Sequence, residues 1–161
     1  MTITRRASLA TLASLGAVSA QAGLVDWFNG VRVDARIDLP PLDWLAAPPP
    51  PGGTMTLWYF WATWCEPCRQ TLPLLNTWLT RYPALRIVAV TDEPVATVRS
   101  FAERVPLQMA VALDPQRALL GPLGIRALPY AMLLDRGQVV RWKGQPKELE
   151  PAQLHAWLAQ G

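Results

Sequence analysis

The sequence predicts an α/β fold in which a central mixed β-sheet is flanked by helices, and three observations carry that expectation. Residues 56–61, Thr-Leu-Trp-Tyr-Phe-Trp, are rich in β-branched and aromatic types without polar alternation, as suits a central strand covered on both faces. Directly after them, Leu72, Leu75, Trp78, Leu79 and Tyr82 recur at three- and four-residue spacing, the stripe of a helix that buries one face. Strand-like and helix-like stretches then continue to the C-terminus, the last two strands reading as a hairpin.

At the start of the chain, Thr4-Arg5-Arg6 precedes residues 7–22, which carry no charge and are mostly small or apolar. This is the pattern of a signal peptide. The stretch is too short and too rich in Ala and Ser for a membrane span, which needs about 20 strongly apolar residues; an uncleaved N-terminal anchor is the alternative. Ala20-Gln21-Ala22 offers a small-x-small cleavage site before Gly23, with Val18-Ser19-Ala20 as a second choice. Arg5-Arg6 raises a twin-arginine route, but Ala7 and Ser8 follow where that signal favours more hydrophobic residues, so the general secretory route is preferred. Either way the domain is expected outside the cytoplasm.

Without Arg5 and Arg6 the formal charge falls from +3 to +1, because no acidic residue precedes Asp26. No Lys/Arg cluster with interleaved aromatics remains, so there is no case for nucleic acid. About 139 residues would follow cleavage at Ala22, enough for one domain with one core.

Residues 23–53 read as an N-terminal extension and a Pro/Gly-rich linker. Val31, Val33, Ala35, Ile37 and Leu39 alternate with Arg32, Asp34, Arg36 and Asp38, the period of a half-buried strand. Residues 48–51 are all proline and precede Gly52-Gly53; proline donates no backbone hydrogen bond and favours polyproline II, so the tract is extended. Residues 54–161 are expected to form the main domain. After the strand at 56–61, a helix should start near Cys65 with Pro67 in its first turn, where a missing N–H costs little. Residues 86–91 read as a second buried strand. Val95, Val98, Phe101, Ala102 and Val105 follow helical spacing, residues 107–113 read as a strand, and residues 115–120 as a shorter helical piece. Residues 130–134 form another apolar strand, Asp135-Arg136-Gly137 a turn, and residues 138–143 alternate, so an antiparallel hairpin is expected there. Pro151 opens a last helix with Leu154, Trp157 and Leu158 on one face, leaving His155 on the solvated side.

The chemistry concentrates in Cys65-Glu66-Pro67-Cys68 at the strand-to-helix junction. Free amide N–H groups and the helix dipole would stabilise a Cys65 thiolate, while Cys68, one turn inside, is shielded. Cys65 is therefore the candidate nucleophile and Cys68 the resolving thiol, which closes the ring and releases a partner from a mixed disulfide. A structural disulfide at this spacing would remove little unfolded-state entropy. As a zinc site the pair supplies half of a tetrahedral set, and the lone His155 is remote in sequence. The chain holds two cysteines, both in this motif, which in an oxidising compartment favours a dedicated redox pair over a disulfide scaffold.

At these residues the chain resembles a known family. Phe60-Trp61-Ala62-Thr63-Trp64-Cys65-Glu66-Pro67-Cys68 is similar to the active-site segment of thioredoxin-fold proteins, and among them of the TlpA/ResA-like periplasmic thiol:disulfide oxidoreductases. Pro73 matches the proline that kinks their active-site helix. Gly124-Ile125-Arg126-Ala127-Leu128-Pro129 resembles their loop ending in a cis-proline that faces the dithiol. Asp38-Leu39-Pro40-Pro41-Leu42 resembles their short N-terminal strand segment, and residues 95–114 their central helix-strand insertion. The resemblance runs from about Thr56 to the C-terminus.

It implies a thioredoxin fold with an N-terminal strand extension and a central helix-strand insertion, active in the periplasm. It further implies Cys65 and Cys68 as the catalytic pair, with Trp64, Glu66, Pro67, Leu128 and Pro129 supporting the site, and the Leu128 backbone pairing with an incoming peptide. The redox-active disulfide is the sole cofactor expected and no metal is. The implied partners are protein thiols and disulfides, with apocytochrome c before haem attachment as an example, and a membrane thiol transporter of the DsbD or CcdA kind as electron donor. Nothing demands more than a monomer. Trp61 is expected in the core and Trp64 on the rim.

Two departures bear on mechanism. Thioredoxin carries a buried Asp where this chain has Tyr59, and ResA-like proteins carry a Glu where it has Thr71. Water or Glu66 is left as proton acceptor for the buried thiol, although a charge on Glu66 opposes thiolate formation at Cys65. Other readings are an oxidase using the same atoms and a non-catalytic copper or zinc carrier. A peroxide-reducing enzyme lacks support, because the lone Cys in a Pro-x-x-x-Thr pattern is missing.

Overall fold

Residues 55–60 are buried at every position, and the strand they form, β2 (Met55–Phe60), is the middle of the fold. Alternate side chains of a strand leave opposite faces, so a strand covered on both sides shows no polar alternation. Leu57, Tyr59 and Trp61 enter one hydrophobic cluster, while Trp58 and Phe60 enter another on the opposite side. The computed structural model describes residues 30–50 and 52–160. The expected signal peptide and both cleavage sites lie outside the described residues.

Six strands make one mixed sheet among the described residues: β1 (Asp43–Trp44), β2, β3 (Leu85–Thr91), β4 (Ala110–Leu113), β5 (Tyr130–Asp135) and β6 (Val140–Gly144). Their order is β1-β4-β3-β2-β5-β6. β2 is parallel to β3 and antiparallel to β5, with Phe60 opposite both Val90 and Tyr130. This register decides where the site lies. The segment leaving β2 toward Cys65, the end of β3, and the segment that enters β5 from Pro129 all meet at one end of the sheet.

Three α-helices accompany the sheet among the described residues: α1 (Glu66–Arg81), α2 (Val95–Ala102) and α3 (Pro151–Ala159). Leu72, Leu75 and Trp78 of α1, Val98 and Phe101 of α2, and Leu154 of α3 share the cluster with Leu57 and Tyr59. Leu72 and Leu75 are almost wholly buried, each contributing roughly 1.5–3 kcal/mol of transfer free energy. The opposite face is covered by Leu119, Leu120 and Ile125 with Val31 and Ile37 from the N-terminal segment. No helix among the described residues is long and apolar enough to cross a membrane.

Several expected boundaries moved. The alternating residues 31–39 form no strand: Asp34 has φ 64°, and their pairing is one isolated antiparallel bridge, Arg36 to Val139, flanked by backbone hydrogen bonds of Asp34, Ala35 and Ile37 with Val140 and Gln138. Val33 is 48% exposed, because a chain that turns at Asp34 cannot keep alternate side chains on the sheet. The N-terminal strand comes after 38–42, as the two-residue β1 paired to β4. Residues 115–120 form turns rather than a helix. The buried Asp114 accepts the N–H groups of Ala118, Leu119 and Leu120 at 2.7, 3.0 and 2.8 Å, and Arg117 is left-handed at φ 58°. A helix would need those amides for itself. α2 stops at Ala102 before Val105, β4 starts at Ala110 rather than 107, and β6 starts at Val140 because Gln138 has φ 62°.

Candidate active site

Cys65 is the N-cap of α1, with extended backbone angles, and its Sγ accepts the Cys68 N–H at 3.3 Å. Pro67 sits in the first turn, where its missing amide leaves nothing unsatisfied. The two cysteines are joined in a disulfide. Cys65 is 5% exposed and Cys68 fully buried, so the outer sulfur is the one a partner can reach. An amide already aimed at Cys65 Sγ, together with the dipole of α1, favours negative charge on that sulfur once the pair is reduced.

The apolar surroundings split as expected for the tryptophans. Trp61 is 1% exposed and packs against Phe101 at 5.3 Å between ring centroids. Trp64, next to Cys65, is 71% exposed. In the segment that enters β5, Leu128 is partly buried and Pro129 buried, and the bond between them is cis. The loop before them starts with Gly124 at φ 63°, where a Cβ would come within 3.2 Å of the Gly30 nitrogen. Only glycine suits that turn and that close approach.

Glu66 turns outward. Its carboxylate accepts hydrogen bonds from the Arg69 guanidinium and the Gln70 amide, and both it and Arg69 are exposed. Arg69 therefore offsets the charge that would oppose a Cys65 thiolate. We expect Glu66→Gln to leave the rate of Cys65 alkylation within about twofold across pH 6–9, since exposed pairs are worth little; a displaced pH profile would make Glu66 the proton acceptor.

Tyr59 and Thr71 replace the acids of related sites with hydroxyls. The Tyr59 hydroxyl donates to the Cys68 carbonyl at 3.0 Å, and the Thr71 hydroxyl donates to the Pro67 carbonyl at 2.9 Å. Burial pushes the Tyr59 phenol well above its ordinary range, against a smaller opposing effect from a hydrogen bond with Thr71. A phenol held neutral in this way holds the first turn of α1 rather than accepting a proton.

Sequence reasoning missed the groups that hold the site from behind. Glu93, just past the end of β3, is 9% exposed. Its carboxylate accepts the Thr63 N–H at 2.6 Å and the Thr63 hydroxyl at 2.7 Å. The neighbouring Asp92 pairs with Arg117, which donates to the Ile125 carbonyl at 2.8 Å. The available signal was an acidic dipeptide after the buried strand parallel to β2. His155 is exposed on α3, and no group of three or more His, Cys, Asp or Glu that could hold a metal occurs among the described residues.

Residues 51–143 match the model of the AhpC/TSA family. Over 85 residues the chain is 34% identical to the thiol-disulfide oxidoreductase ResA of Bacillus anthracis, covering 50% of this chain and 49% of that protein. The chain thus spans about half the length of the ResA relatives it matches. It is 25% identical over 150 residues to the sporulation thiol-disulfide oxidoreductase A of Bacillus subtilis, covering 84% of this chain and 90% of the other. Among solved structures, one assigned as a thiol:disulfide interchange protein DsbE from Chlorobium tepidum matches with a TM-score of 0.61 at 32% identity, over 66% of this chain and 81% of that one. The structure of StoA from Bacillus subtilis matches with a TM-score of 0.56 at 24% identity, over 67% and 84%. With the mixed sheet, the disulfide at the N-terminus of α1 and the cis Leu128–Pro129 bond before β5, these matches show that the chain belongs to the AhpC/TSA family and is a TlpA/ResA-like member of the thioredoxin superfamily.

Proposed function

We propose that this chain is an extracytoplasmic thiol–disulfide oxidoreductase that reduces disulfides of envelope proteins, apocytochrome c before haem attachment being one such substrate. The observation that carries the proposal is the Cys65–Cys68 disulfide at the N-terminus of α1, with the outer sulfur aimed at by the Cys68 amide. In the reduced protein the Cys65 thiolate attacks one sulfur of a substrate disulfide. A Cys65–substrate bond forms, the substrate bond breaks, and the departing sulfur takes a proton from water. Cys68 then loses its proton and attacks Cys65 Sγ. The internal disulfide reforms, the second substrate thiol leaves, and two electrons have passed to the substrate.

The reaction needs no cofactor besides the dithiol. We assign Trp64 to the apolar rim that a flexible peptide meets and the Leu128–Pro129 segment to the opposite wall, where the Leu128 backbone pairs with that peptide. A membrane thiol transporter of the DsbD or CcdA kind would restore the dithiol. Residues 1–22 are proposed as the export signal, residues 23–53 as the extension and linker, and residues 54–161 as the catalytic domain, acting as a monomer in the periplasm.

Equilibrating the protein in glutathione and dithiothreitol buffers, with tryptophan fluorescence as readout, tests the direction of transfer. A potential near or below roughly −230 mV is expected of a reductant, whereas a value near about −120 mV would make the protein an oxidase. If no intramolecular disulfide forms at all, both redox readings fail and a metal carrier using Cys65 and Cys68 comes forward.

A further inference from the structure

We infer that Asp92-Glu93, the acidic pair after β3, sets the two walls of the site separately: Glu93 positions Cys65 by gripping Thr63, and Asp92 positions the Pro129 loop through Arg117. The second half of the inference rests on the disulfide-exchange reading above; the first half needs only a reactive cysteine.

Thr63 lies two residues before Cys65, in the short segment that joins β2 to α1. That segment has few backbone partners of its own: Trp61 donates to the Val90 carbonyl and Cys65 to the Ala62 carbonyl, each at 3.1 Å. Glu93 supplies the missing restraint. Its two carboxylate oxygens take the amide and the hydroxyl of Thr63 at 2.6 and 2.7 Å, while the Thr91 hydroxyl donates to Oε2 at 3.3 Å and accepts the Glu93 N–H at 3.3 Å. On the outer side the Arg69 guanidinium donates to the Thr63 carbonyl at 3.3 Å. All three polar groups of Thr63 are thus held, by partners 30 and six residues away. A carboxylate with three donors and nine-tenths buried is a rigid anchor.

Asp92 works in the opposite direction. Its carboxylate pairs with Arg117, a residue in the left-handed backbone conformation. The second guanidinium nitrogen of Arg117 donates to the carbonyl of Ile125 at 2.8 Å, four residues before Pro129. Ile125 is itself 2% exposed, so this hydrogen bond ties the start of the Pro129 loop to the end of β3. Adjacent residues just past the end of β3 therefore hold the nucleophile on one side and the substrate wall on the other.

The two halves predict different losses. With Glu93→Ala, Cys65 alkylation by iodoacetamide in the reduced protein should slow about tenfold, because a small displacement of a reacting group is costly. Glu93→Gln should restore the rate to within about threefold, since its amide can still accept the Thr63 N–H and meet the hydroxyl. Arg117→Ala should leave alkylation within about twofold yet raise KM for a disulfide-linked peptide about fivefold or more with kcat unchanged. Thr63→Val, which keeps the amide bond to Glu93 and loses only the hydroxyl, carries the test if Glu93→Ala does not fold; alkylation should then slow about threefold. Wild-type alkylation rates in the folded Glu93→Ala or Thr63→Val protein would overturn the first half. An unchanged KM in Arg117→Ala, or a matching loss of alkylation, would overturn the second. If the wild-type protein reduces no peptide disulfide, the functional reading fails while the alkylation arm still decides the role of Glu93.

Discussion

Cys65→Ser is expected to abolish disulfide exchange, by about 10⁴-fold or more, and Cys68→Ser to stall it one step later. A serine at the N-cap keeps the helix start, since its oxygen can accept the same Cys68 amide. It cannot supply a thiolate, so the loss belongs to chemistry and not to folding. Cys68 is fully buried behind it and has a different task. Without it the attack by Cys65 still occurs, but nothing displaces the partner, and the mixed disulfide accumulates. Insulin reduction by both variants, followed by non-reducing electrophoresis with a disulfide-linked peptide, checks this. Turnover by Cys65→Ser, or a trapped adduct on Cys68 in that variant, would contradict the assignment of nucleophile and resolving thiol.

The second large effect is expected far from the sulfurs. Asp114→Ala should cost roughly 3–5 kcal/mol, because hydrogen bonds to a charged group are worth about 1.5–3 kcal/mol and buried amides left unpaired carry a further penalty. Asp114 is 2% exposed and its carboxylate holds three consecutive amides, two of them buried. Those amides begin the turns that carry Leu119 and Leu120 onto the sheet and lead into the Pro129 loop. For a domain of this size such a loss lowers Tm by on the order of 10–15 °C. Asp114→Asn keeps one acceptor oxygen and should lose about half as much. Urea unfolding of the three proteins measures it; a cost below about 1 kcal/mol for the alanine variant would show that the turns find other partners.

Much of the fold was legible because its signals are local. Residues 56–61 lack alternation since both faces of β2 are covered, and the stripe Leu72, Leu75, Trp78 is the buried face of α1. The Cys-x-x-Cys sits where strand meets helix, so the different burial of its two sulfurs follows from helix geometry alone. The helix and strand between residues 95 and 114 were also readable, apart from their ends.

What failed was each pattern whose outcome depends on a distant partner. Residues 31–39 alternate as a strand does, yet their pairing stops at one bridge to Val139 and the three backbone hydrogen bonds around it, because Asp34 turns the chain and pairs with Arg141. Residues 115–120 have helical spacing, but Asp114 takes the amides that a helix would use. Tyr59 and Thr71 were legible as missing acids, whereas their bonds to the first turn of α1 were not.

The sequence by itself determined the order of strand, dithiol and helix, and with it which cysteine lies at the helix N-terminus, because spacing and burial period act within a few residues. The tertiary structure alone decided that Glu66 faces water, that Glu93 reaches Thr63, and that Arg117 links Asp92 to Ile125. Those contacts span eight to 30 residues. They exist because the register of β2 with β3 and β5 brings three chain segments to one end of the sheet, and no local pattern encodes a register.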